Sequence, residues 1–287
     1  MKKQEYIDMW IQSGLSPSQI EGVLCHVLSL SREQLFVLKE ISSKYIYEVQ
    51  QLFYNMQYWN PEEYSLEKAN FYGRDFFVDE RVLIPRNDTE LLVWEALKKI
   101  HLDLRPEKLM YIDVGTGSWC IPISIVEEML PLKFKKVFAL DISPDALAVA
   151  KQNKEKYDAQ IIELYESDLL SAVFHNPILQ GASLFISANL PYIKNEDFEN
   201  MEDSVIQYEP EIALYGGEKT GFELYEKLIK QIFQLKEIYK MKDIHLFIEI
   251  GFDQRKYSQQ YLEELGLWFE YFYDSANIAR VIYIQGF

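Results

Sequence analysis

Apolar residues recur along the chain at two spacings, and the first is helical. In "SPSQIEGVLCHVLSL", Ser16 stands as an N-cap, Pro17 takes the first helical position and Gln19 completes a capping box. Ile20, Val23, Leu24, Val27 and Leu28 then fall on one face. "SREQLFVLKE" starts another helix in the same way, from Ser31 with Gln34 three residues on. Residues 1–65 are therefore expected to form a small helical domain for packing or partner recognition. From residue 59 to 85 the pattern turns irregular and strand-like, and residues 66–85 are expected to link this domain to a larger one over 86–287.

From Met110 onward short apolar runs alternate with amphipathic ones. "MYIDV", "KVFAL", "QIIEL", "SLFIS" and "IHLFIEI" predict strands, and the segments near 119–129, 144–156, 221–238 and 254–265 predict helices. Such alternation implies an α/β fold: a doubly wound, mostly parallel, Rossmann-like sheet with helices on both faces. No repeat period is visible. In such sheets ligands sit beyond the carboxyl ends of the strands, so each apolar run is informative just where it stops.

Composition narrows the partners. The 287 residues carry 29 Lys and Arg against 45 Asp and Glu, a net charge of −16 that repels phosphate backbones, so direct nucleic-acid binding is not expected. Two cysteines, Cys25 and Cys120, predict free thiols in a reducing compartment, and four scattered histidines argue against a metal site. The opening "MKKQEYIDMW" lacks the apolar stretch of a signal peptide, and no later run approaches membrane-spanning length. A cytoplasmic protein is expected.

The strand ends carry the chemistry. After the first comes "DVGTGSW", Asp113 to Trp119, in which Gly115 and Gly117 let the backbone turn tightly and the next helix points its N–H groups at a ligand. After the second comes Asp141, 24 positions beyond Gly117, where a carboxylate suits a ribose diol, or alternatively caps the next helix. After the third, Asp168 is placed to accept from an exocyclic amine. After the fourth comes "NLPYI", in which Asn189 and the carbonyls beside Pro191 can accept from a group with two N–H donors, with Tyr192 as a flat wall. A turn after a strand uses Asn and Pro as well. A ribose site, an amine acceptor and a glycine turn with no further phosphate apparatus fit S-adenosylmethionine.

The blocks "VLIPRNDTELLV", "DVGTGS", "ALDIS", "SDLL", "NLPYI", "YEPEIALYGGEKTGFELYEKLI", "FIEIG" and "DSANIARVIYI" follow in an order and spacing that resembles the release-factor glutamine methyltransferases, a class I S-adenosylmethionine-dependent family. The resemblance implies transfer of a methyl group to the side-chain amide of the glutamine in the Gly-Gly-Gln loop of a peptide-chain release factor. It also implies a methyltransferase domain over 86–287. By position, Gly115, Thr116, Gly117, Ser118 and Trp119 would line the methionine part of the cofactor, Asp141 would bind its ribose, and Asp168 with Leu169 would bracket the adenine, with Asn189 also beside the cofactor. Asn189, Leu190, Pro191 and Tyr192 would hold the substrate glutamine, with Asn189, Pro191 and Tyr192 the catalytic group. Arg86, Thr89 and Glu90 would organise the site.

The chain departs from the family pattern at Leu190 and Asn87, where Pro is usual, and at Trp119, where the third glycine is usual. Trp119 would either stack on the cofactor or crowd it. "NLPY" also resembles the motif of ribosomal-RNA adenine dimethyltransferases, against which stand the acidic charge and a helical domain placed before the main one. A binding protein with a degraded cofactor site is the non-enzyme alternative.

Overall fold

The computed structural model describes residues 1–57, 61–130, 134–200 and 203–287; residues 58–60, where the irregular pattern was expected to begin, lie outside the described residues. Helices α1 (Lys3–Gln12), α2 (Pro17–Leu28), α3 (Arg32–Val37), α4 (Ser43–Gln57) and α5 (Glu62–Ser65) open the chain. Both capping boxes form: Gln19 N–H donates to Ser16 Oγ and Ser16 N–H to Gln19 Oε1, and Gln34 pairs with Ser31 in the same manner. Tyr6, Trp10, Val23, Leu24, Val49 and Phe53 give α1, α2 and α4 a core of their own. The antiparallel hairpin β1 (Ala69–Phe71) and β2 (Arg74–Phe76) follows, then a short 3-10 turn, Asn87–Thr89, leading into α6 (Glu90–Asp103).

The main body alternates β3 (Leu109–Val114), α7 (Cys120–Glu128), β4 (Lys136–Asp141), α8 (Pro144–Lys156), β5 (Ile162–Glu166) and β6 (Ser183–Ala188). After the short β7 (Ile193–Lys194), α9 (Asp203–Tyr208) and β8 (Tyr215–Gly217) come α10 (Glu223–Tyr239), β9 (Ile244–Glu249), α11 (Arg255–Glu264), β10 (Trp268–Tyr273) and β11 (Ala279–Gln285). The five strands expected from the apolar runs all form. They lie in one sheet of order β10-β11-β9-β6-β3-β4-β5, in which β11 runs antiparallel to both its neighbours and the remaining pairs are parallel.

Every residue of β3 is buried, as a parallel strand covered on both faces requires. Met110, Ile112 and Val114 pack with Leu228 and Ile232 of α10 on one face, while Tyr111, Phe185 and Phe247 pack with Leu92 of α6 and Ile123 of α7 on the other. From β3 the chain builds outward through β4 and β5, then returns to β6 on the opposite side. The crevice at that reversal is where an open α/β sheet binds its ligand.

The segment before α6 is bound to this body. Tyr64, Val78, Val82 and Ile84 pack on Ala146 and Val149 of α8. Asn153, fully buried on α8, accepts from Phe77 N–H at 2.8 Å and donates to the carbonyls of Phe77 and Ser118. Among the described residues no helix is long and apolar enough to cross a membrane, no three His, Cys, Asp or Glu side chains are placed to hold a metal ion, and both cysteines are free.

Candidate functional site

Beyond the carboxyl ends of β3, β4, β5 and β6 lies a cavity of about 620 Å³, within the range of small-molecule sites. Its floor begins with the turn after β3. Gly115 has φ +71° and Gly117 φ +52°, and a Cβ on Gly115 would come within 2.8 Å of Leu190 Cδ2, so a side chain there is disfavoured by the backbone and would have to displace the Leu190 side chain. The amides of Gly115 and Thr116 both donate to Leu140 O, pinning the turn to the end of β4.

Asp141 ends β4 and is buried against the cavity. Its Oδ2 accepts from Gly117 N–H and its Oδ1 from Ser143 N–H, each at 2.9 Å. Burial raises its pKa, while those two amides and that of Ile142 hold it down. Two hydrogen bonds leave the carboxylate with acceptor capacity on both oxygens, in a fixed orientation. Deeper still, Asp113 is fully buried beneath the turn, accepting from the Ser187 hydroxyl on one oxygen and leaving Oδ2 without a partner. Burial is the chief cause of its pKa of about 7, opposed by the Ser187 hydrogen bond and the nearby Thr116 side chain and reinforced by the charge of Asp141.

After β6, Asn189, Leu190 and Pro191 line the cavity. Asn189 Nδ2 donates to Thr89 Oγ1 at 3.0 Å. Leu190 N–H donates to the Tyr225 hydroxyl at 2.9 Å, a bond that proline at this position could not make. Tyr225 sends its own proton to Glu249 O at 2.5 Å. Behind this segment, a Cβ on Gly216 would lie 2.4 Å from Tyr192 Cα and 2.5 Å from Pro191 O, so this glycine lets the two backbones meet. Gln254 is buried there and donates to the carbonyls of Tyr192 and Thr220.

The roof comes from two chain-distant segments, one containing Arg81, Val82 and Pro85 and the other Glu211, Ile212 and Tyr215. Arg86 forms an ion pair with the buried carboxylate of Glu209, which also accepts from Ile84 N–H at 3.2 Å. These contacts tie the two segments together.

Three expected site residues stand elsewhere or are otherwise engaged. Trp119 neither stacks over the cavity nor crowds it: at φ +76° its fully buried ring turns into the core with Leu92, Leu97 and Phe247. Tyr192 does not line the cavity: its ring lies against Gly251, where an added Cβ would come within 3.1 Å of Cδ2, and burial raises its pKa. Asp168 does reach the wall, with Leu169, but its half-exposed carboxylate is ion-paired with Lys227 at 2.5 Å. Among the signature residues, Arg86 and Thr89 bond as described, whereas Glu90 accepts from Tyr72 N–H at 2.7 Å and so anchors the β1–β2 hairpin. Asn87 is exposed at the start of its 3-10 turn, a position that tolerates proline and asparagine alike. Sequence reasoning missed Tyr225, Gln254 and Glu249. Glu249 carried a weak signal: an acid one residue from the end of the apolar run "IHLFIEI".

Comparison with known proteins places the chain among relatives of one kind. It is 34% identical over 256 residues to a release factor glutamine methyltransferase from Bacillus cereus, covering 88% of this chain and 86% of that one. A release factor glutamine methyltransferase from Chlorobaculum tepidum is 37% identical over 72% of this chain and 70% of its own. One from Thermodesulfovibrio yellowstonii is 29% identical over 93% and 91%. No family model matches. Among solved structures, the hMettl16 catalytic domain bound to an RNA hairpin aligns with a TM-score of 0.54 at 15% identity, over 87% of this chain and 84% of that one. A human methyltransferase 10 domain containing protein aligns with a TM-score of 0.51 at 16% identity, over 75% and 89%. These structural likenesses concern the class I methyltransferase fold.

Proposed function

The chain belongs to the release factor glutamine methyltransferase family, and from that premise we propose that it methylates the side-chain amide nitrogen of the glutamine in the Gly-Gly-Gln motif of a peptide-chain release factor. The observation that carries this reading is that one cavity joins the Gly115–Gly117 turn, Asp141 and the Asn189–Pro191 segment. S-adenosylmethionine, when bound, supplies an electrophilic methyl group on a sulfonium.

The residues present fit that molecule. Asp141 keeps acceptor capacity on both oxygens beside the cavity, which suits a ribose diol. Gly115, Thr116, Gly117 and Ser118 offer a close backbone approach for its methionine part, and Leu169 gives an apolar wall suited to adenine. Asp168 contributes its remaining acceptor capacity from the rim.

An amide nitrogen is a poor nucleophile because its lone pair is shared with the carbonyl. Asn189 Oδ1 and a carbonyl of the Leu190–Pro191 segment accept the two N–H bonds of the substrate amide, orienting its nitrogen into the cavity and favouring positive charge as it develops. No strong base is required beforehand. Leu190 and Pro191 act through their backbone, while Tyr192 stabilises the segment from behind. Orientation of this kind supplies up to roughly 7–11 kcal/mol, and loss of one fixed dipole costs on the order of 3 kcal/mol.

Asn189→Ala is therefore expected to lower turnover about a hundredfold or more, with cofactor affinity less affected. Mass spectrometry of the Gly-Gly-Gln peptide from a release factor incubated with the protein and S-adenosylmethionine checks this. One added methyl on the glutamine, lost in the variant, is the expected result; unchanged turnover in the variant removes Asn189 from the mechanism.

A further inference from the structure

Glu249 is a carboxylate with no role so far. It ends β9 with 2% of its surface exposed, and its Oε2 has no hydrogen-bond partner. The β6–β9 ladder pairs Ala188 with Ile248, so Asn189 and Glu249 are the next residues across from one another where the two strands stop. Thr89, itself buried, accepts from Asn189 Nδ2 at 3.0 Å. A hydroxyl that accepts one hydrogen bond still has a proton to place, and the unpartnered oxygen of Glu249, across the ends of the two strands, is an acceptor for it; Thr89 and Asn189 both favour the ionised form of that carboxyl.

We propose that Thr89 and Glu249 are positioning residues that fix the amide of Asn189, with Thr89 accepting from Asn189 Nδ2 and donating to the Glu249 carboxylate, so that Asn189 Oδ1 faces the substrate. The inference rests on the reading of Asn189 given above. Hydrogen bonds in a chain polarise one another, so negative charge on Glu249 makes Asn189 Oδ1 a stronger acceptor. That acceptor is the group that meets positive charge on the substrate nitrogen.

The surroundings make the relay pH-dependent. Burial is the chief cause of a Glu249 pKa of about 7, with Asp88 raising it and Thr89, Arg280 and Asn189 lowering it. Arg280 is committed to Asp88 at 3.1 Å and Asp274 at 2.9 Å, so it serves Glu249 only weakly. Tyr192, Tyr225 and Cys120 also face Glu249 and remain neutral, their pKa values all raised by burial. The relay therefore strengthens as pH rises through about 7.

Steady-state kinetics on the full chain, with the Gly-Gly-Gln protein substrate and S-adenosylmethionine, tests this alongside NMR of the Asn189 side-chain NH2, assigned by its loss in Asn189→Asp. Glu249→Gln and Thr89→Val are expected to lower kcat about tenfold, the scale of replacing or losing a charge-assisted hydrogen bond, with KM for the cofactor little changed. Thr89→Ser restores most of kcat. In the wild type, kcat and the Asn189 resonances titrate together near pH 7, and both titrations vanish in Glu249→Gln. A kcat within twofold of wild type in Thr89→Val, or Asn189 resonances unaltered in that variant, overturns the relay. A wild type that leaves the substrate unmethylated overturns the substrate assignment instead; the resonances then still decide the relay, and an Asn189 signal that ignores both substitutions and pH overturns it. Should Thr89→Val fail to fold, Glu249→Gln with Thr89→Ser decides by the same criteria.

Discussion

Trp119 occupies a left-handed backbone conformation that costs a residue with a side chain about 1–2 kcal/mol, and it fills a core site at the same time. The two effects oppose each other. Removing a large buried aromatic costs about 3–5 kcal/mol, whereas glycine relieves the backbone, so Trp119→Gly should destabilise the protein by about 1–4 kcal/mol in urea unfolding. A stabilised variant would mean that strain outweighs packing. The sequence exposed Asn189 and Asp141 because each is a polar residue closing an apolar run. It could not orient Trp119, since an aromatic ring after a glycine turn suits a ligand face or a core equally well. Glu249 was open to the same rule as Asn189, but its run goes on to Ile250, so the acid looked like an interior position of a strand.

Among the elements, α8 carries a connection that hydrophobic periodicity does not announce. Asn153 holds the Phe77 amide and carbonyl together with Ser118 O, joining the stretch before α6 to the turn at the cavity floor. Asn153→Ala leaves three backbone groups without this partner at about 1–3 kcal/mol each, so a loss of at least about 3 kcal/mol is expected in thermal melting. Cofactor affinity should fall with it, because Ser118 borders the cavity; calorimetry reads this directly. An unchanged affinity would show that the turn is held by its bonds to Leu140 alone. Aliphatic runs gave away β3, β4, β5, β6 and β9. The hairpin of β10 and β11 was less legible, because "WFEYFY" lies at the sheet edge with no residue fully buried, and its aromatic residues do not separate a half-buried strand from a surface loop.

Across the whole molecule, two buried carboxyl groups act on stability together. Asp113 and Glu249 have folded-state pKa values of about 7, above the roughly 4 of an unfolded chain. The unfolded state therefore loses these protons first, and stability falls as pH rises from about 4 to about 7, then levels off. Melting temperature across this range checks the sign. Asp113→Asn, which can still accept from Ser187, should flatten part of the slope, and an unaltered slope would assign the dependence to the general negative charge. At this scale the fold was the most legible feature, since the order of blocks survives the local departures at Leu190, Asn87 and Trp119. The strand order has a consequence in time as well as in space. Asp113 on β3 meets Ser187 on β6 across 74 residues of chain, and β9 joins later still. Contacts so distant in sequence form slowly. A nascent chain can close the core of its first helices early, but its central ladder must wait until about two thirds of the protein has been synthesised, leaving apolar β3 and β4 in need of protection until then.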